Sequence, residues 1–116
     1  MIFSGDDTIR EVAWLSPEDE QRIMDFLQGA IYCYCNNRKG EWFSVREIMG
    51  GSNRDDWDKT PLGILYNQHI QNGKSHDEAW DLAGQEEGKL LKKTIKQDKR
   101  NFETKKEEQI RKYKWV

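Results

Sequence analysis

From residue 16 onward, apolar residues recur at helical spacing, and Ser, Pro and Gly cut the pattern into segments. Ser16 caps a first predicted helix, Pro17 fits its first position, and Glu18, Asp19 and Glu20 suit the positive end of the helix dipole. Ile23, Leu27, Ala30, Ile31 and Tyr34 then form one apolar stripe, closed by Asn36–Gly40. A short second helix over Ser44–Met49 carries the capping box Ser44/Glu47, turns Val45, Ile48 and Met49 inward and stops at Gly50-Gly51. Residues 51–59 read as a loop around Trp57. A third helix opens at Thr60-Pro61, carries Leu62, Leu65, Tyr66 and His69 on one face and ends near Asn72-Gly73. Ser75 with Glu78 starts a fourth, which places Ala79, Trp80, Leu82 and Ala83 and closes at Gly84. Residues 1–15 show no period and read as an arm, and a short strand fits Glu41–Phe43.

The most informative stretch runs from Glu86 to Tyr113. It holds no proline, a single glycine (Gly88) and mostly Glu, Lys, Leu, Gln and Arg, which predicts one long helix. On a helical wheel Leu91, Ile95, Phe102 and Tyr113 fall within about a 40° sector, with Lys89, Lys93, Lys96, Arg100, Arg111 and Lys114 on the opposite side. Such a helix would span roughly 42 Å, more than the roughly 35 Å diameter of a compact domain of this length. It should therefore overhang the body, bend back near Phe102 or lie against a second copy. The expected fold is thus all-α or nearly so: a compact helical domain of four short helices with a long basic C-terminal helix.

Composition sharpens that expectation. Hydrophobic residues make up 35% and charged residues 34% of the 116, so the core must be thin, with five Trp, four Tyr and four Phe supplying much of it. Trp14, Trp42 and Trp80 are expected in that core, and Trp57 and Trp115 are candidate anchors for a partner. The net charge of −2 conceals a split. Residues 1–88 carry eight Lys/Arg against seventeen Asp/Glu, or −9, and residues 89–116 carry eleven against four, or +7. The reading is one domain, an acidic helical body over 1–88 and a basic helix over 89–116 continuous with it.

That asymmetry directs attention to an anionic partner. Lys89, Lys92, Lys93, Lys96, Lys99 and Arg100 against Asp98 place +5 within twelve residues, a density that a rigid helix could align with nucleic-acid phosphates. The segment Ser75–Ile95 also resembles the helix-turn-helix of DNA-binding proteins over about 20 residues, with Ala79, Ala83-Gly84 and Leu90 near its small and apolar positions. It departs from that pattern at Trp80, where a small residue is usual, and at Glu86, Glu87 and Gly88, where phosphate contacts normally lie. No β-hairpin that could serve as the wing of a winged-helix domain is read in the sequence. DNA or RNA binding through the basic helix face is the expected function. The alternative is a protein-interaction or regulatory module that binds a partner or its own copy through Phe102, Tyr113, Trp115 and Trp57.

Other chemistry finds little support. A calcium loop counted from Asp56 has Pro61 where Gly is needed and Asn67 where Glu is needed. His69 and His76 lack a metal-ligand spacing. Phosphate-loop, HExxH and GxSxG patterns are missing from the sequence, so no catalytic residue, metal or cofactor is expected. Cys33 and Cys35 point in different directions on a helix and read as free thiols. No stretch approaches the roughly 20 apolar residues of a membrane span, and the N-terminal residues lack a signal pattern, which points to the cytoplasm.

Overall fold

The computed structural model describes residues 2–48 and 54–116. Strand β1 (Ile2–Ser4) leads through an arm to helix α1 (Pro17–Cys35), strand β2 (Trp42–Phe43) and the single-turn helix α2 (Val45–Ile48). A 3-10 segment (Arg54–Lys59), helices α3 (Gly63–Gln71) and α4 (His76–Gln97), and strands β3 (Phe102–Glu107) and β4 (Ile110–Trp115) complete the chain. Met49 and the Gly50-Gly51 stop of the expected second helix lie outside the described residues.

The helix starts obey local chemistry. Ser16 Oγ accepts from Asp19 N at 3.2 Å, Ser75 Oγ from Glu78 N at 3.2 Å, and Glu47 Oε2 from Ser44 N at 2.7 Å. Ile23, Leu27 and Ile31 are fully buried along α1, and Cys35 joins them while Cys33 stays exposed. Helix α3 begins at Gly63 rather than at Thr60-Pro61, because Thr60 Oγ1 donates to Trp57 O at 2.9 Å and accepts from Leu62 N at 3.1 Å. A Cβ at Gly63 would stand 3.1 Å from Trp57 O, tighter than an ordinary contact, so glycine lets that junction pack without a backbone shift.

The fold is mixed α/β, not all-α. A four-stranded sheet has the order β1-β3-β4-β2, with β1 parallel to β3 and the other pairs antiparallel. Its register puts Phe43, Tyr113 and Thr104 side by side on the inner face, with Phe102 opposite Trp115 one step along. The Phe43 ring packs on Phe102, Tyr113 and Tyr34 at centroid distances of 6.3, 6.1 and 5.5 Å. Phe43, Phe102 and Tyr113 belong to the same buried cluster as Ile23, Leu27, Leu65, Leu90 and Ile95, with Tyr34 packed against it, so the acidic body and the basic tail share one core.

Two further expectations are overturned. The stop at Gly84 and the start at Glu86 are interior to one helix, α4, so there is no turn between them and no helix-turn-helix. Glycine costs about 1 kcal/mol inside a helix, and burial of Ala79, Ala83, Leu90, Leu91 and Ile95 outweighs it. The long helix of residues 86–113, in turn, is broken at Asp98. That residue takes an extended conformation, its carboxylate accepts from Arg100 N at 2.8 Å, and the chain returns as a β-hairpin. Glu108 and Gln109, with φ of 52° and 67°, turn the hairpin in two residues. The apolar spacing that fits a helical wheel over residues 86–113 therefore also accommodates a hairpin.

Candidate functional site

The segment that follows β1 lies over the outer side of α4 and meets the very lysines expected to bind phosphate. Asp6 Oδ2 is 3.5 Å from Lys92 Nζ and 3.8 Å from Arg111 Nη2, and Asp7 Oδ2 is 3.9 Å from Lys96 Nζ. Lys93 Nζ bridges Glu11 at 2.9 Å and Glu20 at 2.6 Å, and these hydrogen bonds raise its pKa. The arm is pinned at both ends. Ile2 is buried beside Phe102, and Val12 and Leu15 are buried at the far end. There Trp14 Nε1 donates to Glu86 Oε2 at 2.6 Å and the Trp14 ring meets the His69 ring edge-on.

The remaining predicted cations divide differently. Lys89 is half-buried on α4 and Lys99 is exposed at the α4–β3 turn. The Arg100 guanidinium is held by Asp98, Nη2 to Oδ2 at 2.8 Å and Nε to Oδ1 at 3.0 Å. Burial pushes the Asp98 carboxyl up, but hydrogen bonds from Arg100 and Gln28 more than reverse this and bring it down to about 2. Of the residues expected to self-associate, Phe102 and Tyr113 are core residues and offer no contact surface. Trp115 and Trp57 are half-buried, the latter edge-on to Trp80 at 5.0 Å.

A second cationic surface lies on the outer face of the sheet rather than on a helix. Register puts Trp42, Lys114 and Glu103 in a row on the outer face of the sheet, with Lys105 opposite Lys112 in the next row. Lys105 Nζ lies 4.3 Å and Lys114 Nζ 4.8 Å from the centroid of the Trp42 ring. Glu107 binds Lys105 at 3.1 Å and Lys112 at 2.9 Å, while Glu103 lies 3.5 Å from Lys114. Three lysines thus face two carboxylates around one half-buried tryptophan.

The aromatic and cationic mixture continues around the end of β4. Gly40 N donates to Trp115 O at 2.8 Å, which brings Lys39 Nζ to 5.4 Å from the Trp115 ring. Arg100 Cζ stands 5.3 Å from Trp115, 5.5 Å from Phe102 and 5.7 Å from Tyr32, whose side chain is 67% exposed. Beside them Gln28, Tyr32, Gln97, Asp98, Lys99 and Arg100 line an open depression of about 420 Å³. Residues 99–116 carry seven Lys/Arg and three Glu, a net +4 spread along the hairpin from the α4–β3 turn to its tip.

Of the cations predicted to bind phosphate, only Lys99 and Arg100 reach this surface. Lys114 belongs to the basic face read from the sequence, Trp42 is half-buried on the outer face rather than in the core where it was expected, and Tyr32, Lys39 and Lys105 carried no expectation. The signal for this face was the alternation Lys112-Tyr113-Lys114-Trp115, which has the period of a strand with one wet and one dry face. No helix among the described residues is long and apolar enough to cross a membrane. No family model, no curated protein and no solved structure matches this chain.

Proposed function

We propose that this chain binds single-stranded nucleic acid across the outer face of its sheet and the adjoining end of β4. The observation that carries the reading is Trp42 on that face, with two ammonium groups within 5 Å of its ring. A single strand offers stacked bases and a phosphate backbone, and it is held by aromatic platforms interleaved with Lys and Arg. Trp42 supplies a stacking surface, Lys105 and Lys114 supply charge beside it, and Lys39, Trp115, Arg100 and Tyr32 extend the same alternation around the sheet end. The reading relocates the polyanion contact from the helix to the hairpin, because the helix lysines already face the arm's carboxylates.

The test is titration of an oligothymidylate of about 12 nucleotides against tryptophan fluorescence at several salt concentrations. If about four phosphates are neutralised, log affinity falls against log salt with a slope near −3. Trp42→Ala lowers affinity about 10-fold, the worth of one stacked base. Unchanged binding by Trp42→Ala, or no binding at low salt, removes the reading.

A further inference from the structure

We infer that Lys92 of α4 and Arg111 of β4 form an anion seat for a phosphate of a nucleic-acid backbone, and that Asp6 of the arm is the built-in pseudo-ligand that occupies it. The two cations come from different elements and converge on a single oxygen, Asp6 Oδ2, at 3.5 and 3.8 Å. Charge-assisted hydrogen bonds close at about 2.7–2.9 Å, so this oxygen spans both cations without closing on either. The other oxygen, Oδ1, is already engaged, accepting from Thr8 N at 2.9 Å. A phosphate group could give each cation an oxygen of its own.

Burial sharpens the argument. The Lys92 side chain is only 13% exposed, and burial lowers its pKa, with the charge of Arg111 lowering it further and Asp6 opposing both. Two partly desolvated like charges without a counterion repel, so the seat calls for an anion. The occupant is lightly held. Asp6 is itself exposed, and ion pairs at such positions contribute little to stability. Between the buried anchors Ile2 and Val12, the arm from Gly5 to Glu11 is free of helix and strand and mostly exposed, so its middle can lift while its ends stay seated. Lys96, beside Asp7, continues the track along α4 toward exposed Lys99.

The seat is tested with the same oligothymidylate. Asp6→Asn keeps the acceptor for Thr8 and removes the charge, and it is expected to raise affinity about 5- to 10-fold and steepen the salt slope by about 0.7, one added phosphate. Lys92→Gln is expected to reverse that gain in the Asp6→Asn protein, yet change binding less than about 2-fold in the native chain, where the lysine is already occupied. Asp81→Asn is the charge-matched control. It is exposed on α4, eleven residues from Lys92, roughly 16 Å along the helix and beyond the screening length of about 8 Å. An Asp6→Asn gain no larger than that of Asp81→Asn overturns the seat, as does a Lys92→Gln loss equal in both backgrounds. Arg111→Gln repeats the test from the other cation, and a thermal melt confirms that each variant is folded. If the gain occurs but Trp42→Ala has no effect in any background, the seat stands and the sheet-face reading falls. The opposite pattern leaves the sheet face and removes the seat.

Discussion

Residues 86–97 and residues 98–116 draw on much the same vocabulary of Lys, Glu, Gln and a few apolar side chains, yet the first is the end of a helix and the second is a hairpin. The difference lies in how often burial is repeated. Leu90, Leu91, Thr94 and Ile95 are buried at every turn of α4. After Phe102 a helix would run through Glu103 to Gln109, about two turns, without one apolar residue to bury. Folding back instead sets Phe102 opposite Trp115 and Thr104 opposite Tyr113, and both rows reach the core. Intrinsic helix propensity, a few tenths of a kcal/mol per residue, loses to burial of two large aromatics at about 1.5–3 kcal/mol each.

The contrast breaks most visibly at the hairpin's inner face. Phe102 is fully buried against Phe43, so Phe102→Ala is expected to lower unfolding free energy by about 3–5 kcal/mol in urea titration. Ile110, on the opposite face of the same hairpin and 44% exposed, should tolerate Ile110→Ser within about 0.5 kcal/mol. Equal costs at the two positions would mean that residues 102–115 do not present one dry and one wet face.

The helical half carries a weakness of its own. Glu87 is buried on α4, and its Oε2 has no hydrogen-bond partner among the described residues. Burial pushes its carboxyl from 4.5 up to about 8. The folded state therefore holds a proton that the unfolded chain releases, and stability falls as pH rises between those two values. Glu87→Gln should flatten this slope and raise stability at pH 7 by about 2–3 kcal/mol. Thermal melts of both proteins across pH 5–8 check it, and parallel curves would show that the carboxyl is already ionised in the fold.

What was legible in the sequence followed from local signals. Ser16, Ser44 and Ser75 start helices because a hydroxyl or a reciprocal glutamate satisfies backbone donors at fixed spacing, and Gly73 stops one with a φ of 86°. The charge split was equally readable, but not its destination, since the pairing of Lys92 with Asp6 and Lys93 with Glu11 spans more than 80 positions and follows from the sheet that anchors β1. Nor was the outward orientation of Trp42 readable. Trp42 faces outward because Phe43, its neighbour, faces inward, and that alternation needs β4 as its partner to fix the register.

The turn explains why the hairpin was missed and offers the finest test of the comparison. Two-residue hairpin turns with both central residues at positive φ favour Asn-Gly, and this chain has Glu108-Gln109 there. Neither side chain adopts that region without strain, so the turn is held by the ladder on either side of it rather than by its own preference. Glu108→Asn with Gln109→Gly should relieve that strain and stabilise the protein by about 1 kcal/mol, read as a higher urea midpoint at unchanged slope. The same pair of changes would destabilise a helix, since glycine alone costs about 1 kcal/mol in a helix interior. The sign of the shift therefore separates the two conformations: a lower midpoint would return residues 98–113 to the rod that their composition suggests.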